Sequence, residues 1–353
     1  MIRLPFSGVI KKTIVGIDIG VSFIKVVELS RRRGKIELNN YGHIAASSVY
    51  QKPFQSFEEG SFLVSSPDVS KIIKSILKET GIKTKESVFT IPDFSTFSTS
   101  FDIPQMTEDE MQSAIEFEAR RHIPIPVSEV SLDYFITDGE PGKTGPGMKV
   151  LLIAVPNEII EQYRNIAESS GLDLKFLEAE AFSLTRALAK DYKDPICLLD
   201  IGAQSTTINI ADKSKLKVSF SSDIAGNNFT RAISKAMSTS FRKAEFLKEK
   251  HGLNSEEIKE SLLPLINLII IEVEKIFKDC YKTEKKEVKK IILSGGSANL
   301  PGLKEHLASH FNKELEIANP FFNFSYPKVL EEEIKKIGPS YSVAVGAALR
   351  NLN

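Results

Sequence analysis

The chain has 353 residues, of which 42% are hydrophobic and 26% charged, and its 46 basic residues balance 46 acidic ones. This composition is typical of a globular protein and provides no bulk positive charge for nucleic-acid binding. Two cysteines are too few for a disulfide framework, and no apolar run reaches the roughly 20 residues of a membrane-spanning helix. We therefore expect a cytoplasmic protein of two or more domains with no direct membrane span.

The first predicted elements are three strands over residues 13–48. Alternating apolar residues indicate strands, and Arg31-Arg32-Arg33-Gly34 predicts the turn of a hairpin. We interpret the basic triplet as a solvated turn, with an anion contact as the alternative. A loop over 50–66 follows, and then a helix over Asp68–Glu79 that ends at Gly81.

A segment of different composition follows, which we predict to be a compact α+β insert over residues 87–177. Thr107-Glu108-Asp109-Glu110 is a capping box that begins a helix. The other predicted elements of this insert are strands at Val88–Pro92, Leu132–Thr137 and Met148–Val155 and a helix from Asn157 to Gly171. A helix follows near Glu180, whose charge at the helix start the helix dipole alone would explain.

The second half of the chain repeats the pattern of the first. At one ungapped offset, Asp18 aligns with Asp200, Gly20 with Gly202, and, further on, Lys35 with Lys217. Each Asp-x-Gly follows an apolar strand and leads into a second strand. A single such turn is common in loops, but two in matched register are much more specific. The repeat predicts a duplicated domain with two equivalent turns that face one cleft.

The residue types at these turns suit phosphate and metal binding. A strand that reverses at Asp-x-Gly exposes backbone N–H groups to phosphate oxygens, and glycine permits a tight turn. Two carboxylates at the strand ends, Asp18 and Asp200, can hold Mg²⁺ through its waters. Lys25 lies on the strand after the first turn, where its point charge can reach a phosphate.

Two later features suit a nucleoside. Gly295-Gly296, with Asn299 downstream, follows a predicted strand and leaves room for a flat base, although a plain strand-to-helix connection explains the glycines equally well. Glu245 and Lys248 lie on one face of a predicted helix. The alternative for this pair is a surface ion pair of little energetic value.

These residues, in this order, resemble the actin-like ATPase superfamily, and within it the PilM family of type IV pilus assembly proteins, related to FtsA. The resemblance spans roughly residues 13–350. It rests on the sequence segments 15–29, Glu180–Leu188 and Ser342–Arg350, and on the helix Met106–Arg121 with the segment Ile123-Pro124-Ile125-Pro126 that follows it.

The resemblance implies a duplicated actin-like (ribonuclease H-like) α/β core, with two lobes around a nucleotide cleft and an FtsA-type α+β inserted subdomain. The implied divisions are a first lobe over 1–86 with the C-terminal helix 340–353, the insert over 87–177, a connecting helix over 178–195, and a second lobe over 196–339 with a helical subdomain at about 226–285.

The resemblance also implies ATP and Mg²⁺ as cofactors. Asp18 and Asp200 would be directed at the metal, and Glu180 and Gln204 would be the catalytic residues. The implied nucleotide contacts are Gly20, Ser22, Lys25, Gly202, Ser205, Gly226, Glu245, Lys248, Gly295, Gly296 and Asn299. Val21 and Ala203-Gln204 depart from the hydroxyl and the glycines of many relatives, so we expect ATP binding with at most slow hydrolysis.

The implied function is that of a nucleotide-gated scaffold in type IV pilus assembly. Its implied partner is the N-terminal cytoplasmic tail of PilN, a bitopic inner-membrane protein, bound through the insert and leading to other pilus assembly platform proteins. This partner would hold the chain at the inner face of the cytoplasmic membrane. Self-association is left open.

Two alternatives remain open. A cell-division protein like FtsA should end in a basic amphipathic helix, whereas this sequence stops at Arg350-Asn351-Leu352-Asn353. A small-molecule kinase of the same superfamily requires an aspartate aimed at a substrate hydroxyl. Asp93 and Asp102 lie in the predicted insert, and we interpret both as loop residues.

Overall fold

The computed structural model describes residues 12–45, 66–143, 145, 147–190 and 192–352. The predicted loop over 50–66 lies outside this part of the chain, except for Ser66. The strands are, in chain order, β1 (Lys12–Ile19), β2 (Phe23–Arg32), β3 (Lys35–Ala45), β4 (Glu86–Ile91), β5 (Phe97–Ile103), β6 (Val130–Asp138), β7 (Met148–Pro156), β8 (Asp173–Ala179), β9 (Ile196–Ile201), β10 (Thr206–Asp212), β11 (Lys215–Ser222), β12 (Lys290–Ser294) and β13 (Glu314–Ile317).

The helices predicted in the first lobe and in the insert are present, but the C-terminal helix begins well before the predicted residue 340, and the helix over Leu303–Phe311 was not predicted. The capping box is confirmed, because the backbone N–H of Thr107 donates to the Glu110 carboxylate at 2.8 Å. The helices are α1 (Ser66–Thr80), α2 (Glu108–His122), α3 (Asn157–Ser169), α4 (Glu180–Leu188), α5 (Gly226–Ala236), α6 (Phe241–His251), α7 (Glu256–Glu284), α8 (Leu303–Phe311) and α9 (Glu331–Leu349).

Two five-stranded sheets have the same strand order. The first is β3-β2-β1-β4-β8 and the second is β11-β10-β9-β12-β13. In each sheet, the first three strands form antiparallel hairpins and the remaining two add in parallel. The predicted duplicated α/β core with two lobes is therefore confirmed.

The turn after the first strand of each sheet has the same hydrogen bond. The N–H of Gly20 donates to the carbonyl of Phe23, and the N–H of Gly202 donates to that of Ser205, both at 3.0 Å. A Cβ on either glycine would lie 3.0 Å from that carbonyl oxygen. Glycine is therefore favoured here because the chain approaches itself closely.

The predicted alignment of Lys35 with Lys217 is wrong. Arg32 pairs with Lys35 at the end of the first hairpin and lies 14 residues after Asp18. Asp212 pairs with Lys215 at the end of the second and lies only 12 residues after Asp200. The shorter second hairpin shifts every later residue, so one ungapped offset cannot hold beyond the second strand.

A separate three-stranded sheet, of order β5-β7-β6, packs against α2 and forms the insert, which we define as Phe97–Pro156. The predicted range 87–177 is too wide. β4 pairs with β1, and β8 pairs with β4, so both strands belong to the first sheet. Tyr163 and Ile166 of α3 pack in the core of the first lobe.

The insert also contacts the second lobe. Leu151 and Ile153 of β7 pack against Leu216 of β11. Lys149 Nζ donates to Glu284 Oε1, at the end of α7, at 2.8 Å. The insert is thus attached by the chain to the first lobe and by side chains to the second.

Two glycines allow α9 to approach the first sheet and α4. An ideal Cβ on Gly16 of β1 would lie 2.1 Å from the Ala344 carbonyl oxygen, and one on Gly346 would lie 1.9 Å from that of Ser183. α9 therefore buries its small residues, such as Ala344 and Ala348, against β1 and β2. Among the helices of the described residues, none combines the length and apolarity needed to cross a bilayer.

Candidate functional site

The first turn brings a carboxylate and an ammonium group together at the end of β1. Asp18 is directly opposite Lys25 in the register of β1 and β2, and Lys25 Nζ donates to Asp18 Oδ2 at 2.9 Å. Burial acts to lower the pKa of Lys25, but Asp18, together with Asp200 and Glu180, outweighs it, so the pKa is raised overall. Lys25 therefore stays charged beside a carboxylate that is only 4% exposed.

The second turn has the same backbone but no ammonium group of its own. Thr207 is opposite Asp200, at the position that Lys25 has in the first lobe. Asp200 Oδ1 accepts a hydrogen bond from Ser294 Oγ, on the neighbouring strand β12, at 2.7 Å. Burial raises the pKa of Asp200 to about 6, and the hydrogen bond from Ser294 offsets only part of this rise.

Glu180 begins α4 between the two turns. Burial raises its pKa well above the ordinary range, and repulsion from three carboxylates adds to the rise. These are Asp18, Asp93 and Asp200. A helix dipole would have the opposite effect on a carboxyl group at a helix start. The dipole explanation of Glu180 is therefore insufficient, because the residue belongs to a cluster of mutually repelling carboxylates.

Asp93 is a member of this cluster that the sequence did not reveal, since we interpreted it as a loop residue of the insert. It follows β4 directly and is buried. Its Oδ1 accepts the backbone N–H of Ala181 in the first turn of α4 at 3.2 Å, and its carboxylate also accepts from the Thr207 hydroxyl. Burial raises the pKa of Asp93 to about 7 despite these bonds.

Tyr163 of α3 is a second residue that the sequence did not reveal. Its side chain is fully buried, and its hydroxyl has no hydrogen-bond partner among the described residues. Burial raises its pKa well above the ordinary value, and repulsion from Glu180 and Asp18 adds to this. A buried hydroxyl that has no partner among the described residues leaves a donor for a water or ligand oxygen near these carboxylates.

The start of α5 packs against the second turn. The N–H of Gly226 donates to the Gly202 carbonyl at 3.0 Å, and a Cβ on Gly226 would lie 2.9 Å from Ser297 Oγ. Gly226 thus lets the second turn and the segment after β12 approach each other. Residues 202, 226 and 297, from three parts of the chain, meet here.

Glu245 and Lys248 are not a simple surface ion pair. Lys248 is 6% exposed, and its Nζ donates to Glu245 Oε2 at 2.8 Å. It also donates to Thr230 Oγ1 at 2.9 Å and to the Gly226 carbonyl at 3.2 Å. All three protons of this ammonium group are therefore committed within the second lobe, where it fixes α6 to α5.

The two glycines after β12 differ. Gly295 has a φ of +89°, and a Cβ there would lie 2.4 Å from the Ile201 carbonyl oxygen, so this glycine is required by the backbone. Gly296 is exposed, and a Cβ on it would contact nothing within 4 Å. Asn299 Nδ2 donates to the Lys336 carbonyl at 2.8 Å. Of the three, Gly296 has free space beside it for a flat ligand.

The tips of the two turns carry Ser22 in the first lobe and Gln204-Ser205 in the second. Gln204 is exposed and has the position that Ser22 has in the first turn. The predicted site residues thus form two groups. In the first group, Asp18 and Asp200 act on the pKa values of both Lys25 and Glu180, and Lys25 and Asp18 act on that of Asp200. Gly226, Glu245 and Lys248 form a separate contact group within the second lobe.

The carboxylate cluster suits a divalent cation that keeps its water ligands. Burial and mutual repulsion raise the pKa values of Glu180, Asp200 and Asp93, which shows a shortage of positive charge. Within the described ranges, no three His, Cys, Asp or Glu side chains are grouped to hold a metal directly. Mg²⁺ fits this combination because it retains several waters and takes few direct protein ligands.

Comparison with known proteins assigns this fold to a family. The family model described as type IV pilus assembly protein PilM matches residues 16–352. A chain of the PilM-PilN type IV pilus biogenesis complex is 25% identical, with a TM-score of 0.83 over 96% of this chain and 98% of that chain. MreB5 of Spiroplasma citri, bound to ADP, shares the fold with a TM-score of 0.53 at 15% identity, over 96% of each chain.

A curated relative is the cell division protein FtsA of Enterococcus hirae. It is 22% identical over 349 residues, which cover 87% of this chain and 78% of FtsA. The family model covers nearly the whole chain, whereas the similarity to FtsA reflects the wider actin-like relationship. The chain belongs to the PilM family of type IV pilus assembly proteins.

Proposed function

We propose that this protein is a nucleotide-gated scaffold of type IV pilus assembly, which binds ATP with Mg²⁺ between its lobes and the tail of PilN on its insert. The observation that carries the first part is the carboxylate cluster at the two turns, with Lys25 as the ammonium group that pairs with it. The cluster has four carboxyl groups, of which Asp18 and Asp93 are buried and Glu180 and Asp200 are half-buried. With so little positive charge nearby, they favour a site that a bound cation completes.

Each residue near the turns has a role in this proposal. Lys25 donates to a phosphate oxygen, while Asp18 and Asp200 orient waters of the metal. Bound Mg²⁺ supplies the positive charge that offsets the phosphates and the carboxylates together. Gly20 and Gly202 keep the turn backbone narrow enough for a phosphate to approach. Their own N–H groups already close the turns. The phosphate contacts in this proposal are therefore made at Ser22 and Ser205.

The nucleoside lies in the second lobe in this proposal. Glu245 is the partner for the ribose, since its carboxylate is one-third exposed. Gly296 offers open space for the base, with Gly295 and Asn299 holding that loop in place. Lys248 acts as a positioning residue through its bonds to Glu245 and Gly226.

Hydrolysis is at most slow in this proposal. Burial raises the pKa of Glu180, the candidate general base, well above its ordinary range, so it holds its proton more tightly than an exposed glutamate does. Gln204 orients the attacking water, but it is exposed at the tip of its turn. ATP then acts mainly by biasing the angle between the lobes.

The insert is the proposed site for the PilN tail, which places the chain at the inner face of the cytoplasmic membrane. A similar chain is solved in a PilM-PilN complex. On the insert, Phe117 of α2 is 64% exposed, while Met111 and Ile115 of the same helix are buried. An exposed aromatic residue on a packed helix suits an anchor for a peptide partner.

The kinase alternative is less well supported. Its base must be free to accept a proton from a substrate hydroxyl. Asp93, the buried aspartate nearest to such a role, already accepts hydrogen bonds from Ala181 and Thr207. A carboxylate committed to the protein in this way is better suited to holding the start of α4.

A thermal-shift titration tests the nucleotide part of the proposal. Mg-ATP should raise the melting temperature by mass action. At a concentration 100 times the dissociation constant, the free energy of unfolding should increase by about 2.7 kcal/mol. Asp18→Asn should abolish this shift. Asp68→Asn, a change at an aspartate of α1 whose side chain is 42% exposed, is the matched control. An undiminished shift in Asp18→Asn would contradict the metal role of Asp18.

The partner part is tested with a peptide of the PilN N-terminal tail. Phe117→Ser should weaken peptide binding at least tenfold, because removing an aromatic anchor from an interface typically costs more than about 1 kcal/mol. Phe322→Ser is the matched control, because Phe322 is 70% exposed and lies outside the insert. Equal affinity of the two variants would place the peptide elsewhere.

A further inference from the structure

One end of the first lobe carries a cluster of exposed basic residues, which we call the basic tip. It is formed by the β2–β3 hairpin and the start of β1. All five of its side chains are exposed. Its members are Lys12, Arg31, Arg32, Arg33 and Lys35. In a chain whose charges balance overall, this is a local excess of positive charge.

The arrangement of these charges is unfavourable for the isolated hairpin. Lys12 is directly opposite Arg31 across β1 and β2, and Arg32 is directly opposite Lys35 across β2 and β3. Like charges at directly opposite positions of an antiparallel pair destabilise it. Arg33 has a φ of +51°, a conformation that non-glycine residues adopt rarely. The hairpin thus keeps its charges at a cost in stability.

The basic tip is not neutralised by the rest of the described chain. Arg31 donates to the Leu352 carbonyl at 3.0 Å, and Lys12 donates to the side-chain amide oxygen of Asn351 at 2.9 Å, both uncharged acceptors. Across residues 12–45, 66–143, 145, 147–190 and 192–352, Arg32, Arg33 and Lys35 form no ion pair. Lys290, by contrast, pairs with two glutamates on β13.

The basic tip is far from the nucleotide turns and from the start of the insert. It lies at the beginning of β1, whereas Asp18 and Gly20 lie at the other end of that strand. β4 is parallel to β1, so the chain leaves the first sheet for the insert at the end where the turns lie. An anionic partner on the basic tip would therefore leave both proposed sites accessible.

We propose that the basic tip is a docking surface for an anionic lipid bilayer. The inference rests on the proposed function only in placing the chain beside a membrane. A short hairpin suits a flat charged surface, because its cations can all approach the headgroups within one Debye length. Nucleic acid is less suitable as a partner, since its binding surfaces are usually longer basic stripes or grooves.

Vesicle flotation of the full chain, without PilN, tests this inference. The probe is vesicles of phosphatidylcholine with and without phosphatidylglycerol, at low and high salt. Binding should require phosphatidylglycerol and weaken with salt. Each basic residue near an anionic surface adds roughly fivefold to binding, so Arg32→Glu with Arg33→Glu should cost at least tenfold.

Two matched variants separate local charge from net charge. Lys278→Glu with Lys304→Glu changes the net charge equally at exposed positions of the second lobe and should bind like the wild type. Arg32→Lys with Arg33→Lys keeps the charge and should also bind. The variant with Arg32→Glu and Arg33→Glu, the charge-reversed hairpin, should have a melting temperature no lower than that of the wild type. The reason is that a carboxylate at position 32 would attract Lys35.

Three results would overturn the inference. They are equal binding to both kinds of vesicle, equal loss in the two charge-reversed variants, and tighter binding to duplex DNA than to anionic vesicles at the same salt. The charge-reversed hairpin should keep its Mg-ATP and PilN-peptide responses. Failure of the basic tip is therefore distinguishable from failure of the proposed scaffold function.

Discussion

The two lobes share one strand order and one turn geometry, but their turns differ in charge. In the first lobe, the Asp18 carboxylate is 2.9 Å from the Lys25 ammonium group. In the second, Asp200 has a hydroxyl partner, Ser294, and Thr207 occupies the position of the lysine. The backbone hydrogen bonds of the two turns are the same length.

This difference shows which features a duplicated fold must keep. The glycines of both turns are retained because a side chain there would press on a carbonyl oxygen. The side chain opposite the aspartate does not affect the turn, so lysine and threonine are both compatible with it. Because the second turn has no ammonium group of its own, burial raises the pKa of Asp200, and the hydrogen bond from Ser294 and the attraction of Lys25 offset only part of this rise.

The largest effect should come from removing the ammonium group of the first turn. Lys25→Met leaves the buried Asp18 carboxylate without its partner, which should cost about 3 kcal/mol of unfolding free energy. Thr207→Val, the equivalent change in the second lobe, should cost about 1 kcal/mol, since only a hydrogen bond is lost. Urea unfolding measures both. Equal losses would show that the two turns are energetically alike.

A smaller effect should appear in the pH dependence of stability. The pKa of Asp93 is raised from 3.8 to about 7, so the folded state holds its proton more tightly than the unfolded state. Stability should therefore fall as pH rises from about 4 to about 7. Asp93→Asn should reduce this slope and raise stability at pH 8 by on the order of 1–3 kcal/mol.

Thermal unfolding across this pH range checks the prediction for Asp93. Asp102→Asn, a change at the other aspartate that we interpreted as a loop residue, is the control and should leave the slope unchanged. In Asp93→Asn the stability should still fall as pH rises, though less steeply. The reason is that the pKa values of Glu180 and Asp200 are also raised in the folded state. A slope identical to that of the wild type would mean that the Asp93 pKa is not raised.

The smallest effect should come from the hydroxyl groups opposite the two aspartates. Ser294 is opposite Asp200, and Thr90 is opposite Asp18. Ser294→Ala removes a hydrogen bond to a carboxylate and should cost about 1 kcal/mol at pH 8. Thr90→Val should cost less, since Thr90 donates only to the Ile17 carbonyl at a longer 3.3 Å. A greater loss in Thr90→Val would reverse the comparison.

The sequence was sufficient for the parts of the molecule that repeat. Asp18, Gly20, Asp200 and Gly202 were predicted as equivalent because the offset holds through both turns. The same offset aligns Lys25 with Thr207, so Thr207 was within reach of the sequence. After the second strand of each lobe the two repeats differ in length, and the predicted alignment of Lys35 with Lys217 failed there.

Contacts between distant segments were not predictable in this way. The short strands β4 and β8 carry no local signal of the sheet that they join, so we placed the segments that contain them in the insert. Asp93 was consequently read as a loop residue, although parallel strands end at one edge and β4 lies beside β1. The need for Gly16 arises from α9, more than 300 residues later in the chain.

The bridging position of the insert has a thermodynamic consequence. Lys149 connects it to Glu284 of the second lobe, while its chain ends continue into the first. A change in the angle between the lobes must therefore either carry the insert along or break these contacts. By linkage, the two affinities are coupled reciprocally. If nucleotide changes the affinity for a partner of the insert by some factor, that partner must change the affinity for nucleotide by the same factor.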